Sequence, residues 1–266
     1  MLLVIGGPDG IPGTREELET LLPYAIVAML AGPSVAGIVL TGLVHGRAGL
    51  RGLLSRLLGW RVGARWYAVA LLIAPILFTA VLLALSLTSP EFLPGIFTTD
   101  DKATLLLYGI AAGLMVGIFE ELGWTGFAVP GLRLRYGVVT TGLIVGVLWG
   151  AWHILTNGVW ASGPTSGTLS PALFLPVYLF TFLIGQLPAF RVLMVWVYDR
   201  TGSLLVAMLM HASLTASTFI FGPLAISGVA LLIYSLALAA AWWVVVAAVA
   251  VAGGHLSQQV LRRRVA

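Results

Sequence analysis

The stretch ATLLLYGIAAGLMVGIFEELGWTGFA, residues 103–128, decides how this chain is read. A membrane-crossing helix takes roughly 20 apolar residues, and this run supplies them while holding Glu120 and Glu121 side by side. A charge at mid-bilayer costs at least ~2.5–3.5 kcal/mol on insertion scales, so adjacent carboxylates here need a partner or a chemical use. Outward from this stretch, apolar runs of similar size recur at 21–44, 64–87, 138–157, 171–198, 203–221 and 226–252, separated by Gly, Pro and charge. Together they predict an all-α, polytopic transmembrane helix bundle of about seven spans. No polar linker or fixed-period repeat divides the chain, so residues 1–266 read as a single membrane-embedded domain. Pro188 is expected to break the fifth span, because proline cannot donate a helical hydrogen bond.

Composition excludes the soluble classes. Of 266 residues 59% are apolar and 9% charged, with a mean hydropathy of +1.03, whereas soluble domains carry about 25% charged residues. The net charge of +4 reports membrane orientation rather than a nucleic-acid partner. Zero cysteines remove disulfides, thiolate metal sites and cysteine nucleophiles. The 4 histidines and 10 carboxylates must therefore carry any acid–base or metal chemistry.

The basic residues fall in every second connection: Arg47, Arg51, Arg56, Arg61 and Arg65, then Arg133 and Arg135, then Arg191 and Arg200, then Arg262, Arg263 and Arg264. By the positive-inside rule these mark the cytoplasmic side. The other side receives Arg15 and Lys102 with Asp9, Glu16, Glu17, Glu19, Glu91, Asp100 and Asp101, which places the N-terminus outside and the C-terminus inside. The first connection, GRAGLRGLLSRLLGWRVGARW, spaces its arginines like a basic amphipathic helix on the bilayer surface and is read as a positive-inside anchor. MLLVIGG at the start is too short for a signal peptide and lacks a basic flank. One lysine among 14 basic residues fits a high-GC bacterium, so the expected location is a bacterial plasma membrane.

Three spans each carry a polar group: Glu120 and Glu121 in the third, His153 in the fourth and His211 in the sixth. At ~1.5 Å of rise per residue, Glu120 lies roughly 15 Å, His153 ~18 Å and His211 ~12 Å from the cytoplasmic ends of their spans. They share a layer in the cytoplasmic half of the bilayer. Trp149, His153 and Asn157 share one helix face and His211 and Thr215 another, while Glu120 and Glu121 project about 100° apart. A carboxylate and two imidazoles in a water-poor cavity can activate water and steady an oxyanion. His45 and His255 lie in charged connections and read as surface residues. Trp124, Trp149, Trp152 and Trp160 read as packing or interfacial residues, and Gly142, Gly146 and Gly150 as a stripe for close helix approach.

At these residues the sequence resembles the CPBP family, the CAAX prenyl-protease and bacteriocin-processing group of intramembrane endopeptidases. That family carries Glu-Glu-x-x-x-Arg, Phe-x-x-x-His and His-x-x-x-Asn motifs on separate helices. Here they stand as EELGWT (Glu120 to Thr125), WGAWH (Trp149 to His153) and HASLT (His211 to Thr215). The likeness extends upstream through GPSVAG and GLRGLLSRLLGWRVGARWYAVALL, giving a family-like core of about 31–217. It implies a catalytic set of Glu120, Glu121, His153, His211 and Thr215. Glu120 would activate water with His153, while His211 and Thr215 would hold the oxyanion. It also implies a further helix ahead of GPSVAG, so the N-terminus reads as short. Thr125, Trp149 and Thr215 depart from the family's Arg, Phe and Asn. Without an Arg at 125, Glu121 must be protonated, bonded to Thr125, or paired with a distant Arg such as Arg133 or Arg191.

The function expected from the resemblance is an intramembrane endopeptidase that hydrolyses a membrane-associated peptide or protein near the cytoplasmic face, with the lipid bilayer as its surroundings and no nucleic-acid partner. A metal-free glutamate mechanism is favoured, since no paired-ligand spacing such as HExxH is present. Zinc held by Glu120, His153 and His211 is the second reading. A non-catalytic scaffold or immunity-type peptide-binding protein is the alternative function, favoured by Thr125 and Thr215. A proton-coupled transporter is a third, weakened by the lack of an inverted repeat.

Overall fold

The structure, a computed structural model, describes residues 15–154, 167–224 and 226–252, all of the regular structure in them being helical. Six helices are long and apolar enough to cross a membrane, and a seventh, Val138–His153, is shorter. The expected polytopic bundle is thus present, with different span ends.

Helix α1 (Arg15–Leu57) continues well past the expected 21–44, but Gly46 (φ 59°, ψ −155°) interrupts it. That backbone suits only glycine, and it separates the crossing segment from the arginine-rich one. Arg47, Arg51, Arg61 and Arg65 are exposed. Arg56 instead turns inward, donating to Tyr198 Oη (2.8 Å) and to the Gly126 carbonyl (3.0 Å). Leu53 packs against Leu204 and Met208, so this segment is seated on the bundle.

Helix α2 (Ala64–Ser86) buries Ala70, Ala74, Phe78 and Leu82, one residue per turn. After the turns Pro90–Phe92 and Gly95–Thr98, Asp101 caps α3 (Lys102–Gly123) by accepting from the Thr104 N–H at 3.0 Å. Hydrogen bonding with Thr104 holds the exposed Asp101 carboxyl below the usual carboxylate range. The third span does not stop before Pro130. It passes through a π turn, Trp124–Ala128, into a short helix, Val129–Arg133. Pro130 has no N–H for the Gly126 carbonyl, and that carbonyl is the one Arg56 reaches.

Helix α4 (Val138–His153) is followed by α5 (Pro171–Phe180), a second π turn (Thr181–Gln186) and α6 (Leu187–Thr201). The helix therefore widens ahead of Pro188 rather than breaking at it. The last elements are α7 (Leu204–Phe221), capped by Ser203 Oγ on the Val206 N–H, and α8 (Gly228–Val251). Asn157, Trp160, His255 and Arg262 to Arg264 lie outside the described residues.

In lipid, apolar side chains gain little by meeting one another, so small residues that let backbones approach decide which helices pair. Along α4, a Cβ at Gly142 would fall 2.5 Å from Val192 Cα, one at Gly146 2.5 Å from Pro188 Cα, and one at Gly150 2.8 Å from Leu183 Cδ2. This stripe presses α4 onto α6. A second stripe, Gly109, Gly113 and Gly117, does the same for α3 and α7, with a Cβ at Gly117 only 2.5 Å from the Met208 carbonyl oxygen. Helix α6 sits at the centre, buried without interruption from Leu187 to Val195.

Candidate active site

The two glycine stripes determine where the polar groups meet. Glu121 lies one turn beyond Gly117 on α3, and His211 one turn beyond Met208 on α7, so the backbone contact brings these side chains face to face. His211 Nδ1 is 2.7 Å from Glu121 Oε1. Successive helical residues project about 100° apart, so Glu120 faces another way. Its Oε2 accepts the Trp149 Nε1–H at 2.8 Å, and its Oε1 lies 3.8 Å from His153 Nε2. Both glutamates are buried, at 2% and 0% exposure.

Glu121 is compensated from two sides. Thr125 donates its hydroxyl to Oε2 from one turn away, and Arg191 Nη1 donates to both carboxylate oxygens at 2.9 and 2.8 Å. Of the options open from the sequence, hydrogen bonding to Thr125 and pairing with Arg191 therefore operate together. Arg133 is committed elsewhere, with Nε and Nη2 on the Asp199 carboxylate at 2.9 and 3.1 Å. Arg191 thus corrects the charge map: it is 0% exposed inside the bundle and marks no cytoplasmic connection. An arginine within the 171–198 run needs a buried carboxylate, and Glu121 needed a cation; that signal was in the sequence.

Trp149 also does more than pack. Besides its bond to Glu120, its carbonyl oxygen meets His153 Nδ1 at 2.8 Å. Its ring stands edge-on to His211 at 4.9 Å, and the Arg191 guanidinium lies 4.2 Å from its centroid. No spacing rule distinguishes this tryptophan from the packing ones; only the register of α4 against α3 puts its N–H on a carboxylate.

Glu120, Trp149, His153, His211 and Thr215 line a cavity of about 620 Å³. The rest of its wall is largely apolar, and its rim includes Ile26, Tyr108 and Met115, which are exposed on the outer face of the bundle. The cavity therefore reaches the surface that faces lipid. Glu121, Thr125 and Arg191 lie behind it.

A zinc ion fits this arrangement poorly. Among the described residues no three His, Asp or Glu side chains are placed to hold a metal ion. Glu120 Oε2 is occupied by the Trp149 indole, and Glu121 faces Arg191.

Such a cluster, sunk among helices long enough to cross a bilayer, makes this a polytopic membrane protein with carboxylate and imidazole groups gathered inside its bundle. Residues 102–217 match the family model of the type II CAAX prenyl endopeptidase Rce1-like proteins. A stretch of 90 residues is 33% identical to CAAX prenyl protease 2 of Methanococcus maripaludis, covering 32% of this chain and 31% of that protein. The chain thus spans about a third of the length of this curated relative. The segment matched by the family model contains Glu120, Glu121, Thr125, Trp149, His153, Arg191, His211 and Thr215, and is similar to the type II CAAX prenyl endopeptidases.

Proposed function

We propose that the protein is an intramembrane endopeptidase in which Glu120 activates water without a metal. The observation that carries this reading is the 3.8 Å separation of Glu120 Oε1 and His153 Nε2 at the wall of the cavity. That distance is too long for a good hydrogen bond and suits a water shared between the two groups. Glu120 takes one proton from the water, and the resulting hydroxide adds to the substrate carbonyl carbon. Thr215 offers its hydroxyl to the oxyanion, and His211, one turn away on α7 with its Nδ1–H given to Glu121, adds a donor from Nε2 when its ring carries both protons. Collapse breaks the C–N bond as the proton returns from Glu120 to the departing amine. The lipid-facing rim favours a membrane-associated peptide, including one with a prenyl tail of the kind named for the relative. The arginine pattern, with Arg191 removed from it, still favours cleavage near the cytoplasmic face.

The scaffold alternative rested on Thr125 and Thr215. The Arg191 pairing supplies the charge absent at 125, which supports the enzymatic reading. The test uses an internally quenched fluorogenic peptide with a prenylated CAAX tail, in proteoliposomes, alongside a comparison of peptides released from cell membranes by wild type and Glu120→Gln. Cleavage by the wild type, lost in Glu120→Gln and surviving exhaustive chelation with no zinc by elemental analysis, is the expected result. Equal release by both proteins would reject the mechanism, and activity abolished by chelation and restored by zinc would reject its metal-free form.

A further inference from the structure

We propose that Arg191 is the positioning residue of this site, taking from α6 the charge-compensating place that the motif gives to position 125 and fixing the Glu120 carboxylate through the indole of Trp149. The second half rests on the proposed peptidase function; the first does not.

The argument begins at one atom. Thr125 Oγ1 and Arg191 Nη1 both donate to Glu121 Oε2, so side chains from α3 and α6 converge on the same oxygen. A guanidinium from either residue would arrive there, and two would crowd a single carboxylate with like charge. One cation is required, and this sequence carries it on α6.

The remaining donors of Arg191 point to its second role. Nε and Nη2 are buried and have no hydrogen-bond partner, although buried donors are nearly always paired. They belong to a guanidinium whose carbon lies 4.2 Å from the Trp149 ring centroid, where the π face offers electrostatic attraction instead. An arginine that only joined helices would gain more from backbone carbonyls, and the Gly142, Gly146 and Gly150 stripe already joins α4 to α6. A cation over the indole draws electron density from the ring and makes Nε1–H a stronger donor. That N–H holds Glu120 Oε2 at 2.8 Å, which leaves Oε1 for His153 and water. Arg191 thus reaches Glu121 directly and Glu120 through one intermediary. A phenylalanine at 149 would keep the stacking and break the connection to Glu120.

The experiment uses the full chain labelled with [15N]tryptophan in detergent, the Trp149 indole N–H resonance being assigned by its loss in Trp149→Phe. Arg191→Lys keeps the charge but not the planar stacking. It should move that resonance upfield, as should Glu120→Gln. An unmoved resonance in Arg191→Lys would overturn the link to Trp149, whether or not the protein cleaves any peptide. In proteoliposomes with the prenylated fluorogenic peptide, Arg191→Lys and Trp149→Phe should each lower kcat by about 10²-fold, the scale of misplacing a reacting group by an ångström. KM should stay within about twofold, and the double variant should be no slower than the slower single. Additive losses would also overturn the link. For the charge-compensating place, Arg191→Thr should lower Tm and Thr125→Arg/Arg191→Thr should recover it; a swap no more stable than Arg191→Thr would overturn that half. A wild type that cleaves nothing would reject the proposed function and leave the resonance and Tm results to decide this inference.

Discussion

Nδ1 of His153 lies 2.8 Å from the carbonyl oxygen of Trp149. A carbonyl only accepts, so Nδ1 carries the proton and a neutral His153 presents its Nε2 lone pair toward Glu120. The expected outcome is a His153 ring protonated at Nδ1 in [15N]histidine spectra of the resting protein. Glu120→Gln should then lower the cleavage rate at least ~10²-fold, as loss of a general base does, with Tm unchanged. Full activity in that variant would remove Glu120 from the chemistry.

Thr215 lines the cavity one turn beyond His211. If its hydroxyl serves the oxyanion, Thr215→Val should lower kcat by ~10²-fold or more while Thr215→Asn keeps or raises it. A rate unchanged in Thr215→Val would strike residue 215 from the mechanism and leave Glu120 and His153 in place.

The paired Arg133 and Asp199 side chains are 0% and 7% exposed. Arg133→Met should destabilise the protein by ~3–5 kcal/mol, because Asp199 would keep a buried charge without its partner. Arg133→Met/Asp199→Leu should regain most of that loss. Denaturation in detergent followed by circular dichroism measures both.

Gly146→Ala sets a methyl group against the Pro188 backbone, which cannot rotate aside, whereas a Cβ at Gly131 meets nothing within 4 Å. Gly146→Ala should lower Tm and, by displacing α6 and with it Arg191, lower activity as well. Gly131→Ala is the control and should leave both unchanged. Equal behaviour of the two would mean that the α4–α6 contact does not hold the site.

Topology is open to cysteine labelling, since the chain has no cysteine of its own. Cysteines at Ser55 and Ser257 should label from the same, cytoplasmic, side. Labelling from opposite faces would discard the orientation drawn from the arginines.

The sequence made the helical bundle legible because an apolar run long enough to cross a bilayer has few other uses. The meeting of Glu120, His153 and His211 was legible from depth alone. What it hid was azimuth. Arg191 was assigned to a connection because charges near span ends normally are, and only the π turn before Pro188 and the face of α6 show that it points inward. The Gly109, Gly113 and Gly117 stripe is visible as a repeat, but nothing in one dimension says that it meets α7. Trp149 required three-dimensional register, since an indole donor and an interfacial tryptophan look alike in one dimension. The end of the first span was legible at Gly46, whereas the third span runs on past Pro130 through a π turn into a short helix.

The prolines within the helices have a consequence for how this bundle can change over generations. Pro130 leaves the Gly126 carbonyl to Arg56, and Pro75 leaves the Leu71 carbonyl to Ser213 Oγ at 2.8 Å. In both cases the acceptor belongs to the main chain, which no substitution at residue 126 or 71 can delete. Only the donor side is exposed to genetic drift, and a lost donor can be replaced by any hydroxyl or guanidinium that grows into the same gap. Fastenings of this kind survive sequence divergence better than side-chain pairs, where either partner can vanish. Relatives of this chain are therefore expected to preserve these prolines while varying the residues that dock on the carbonyls they free.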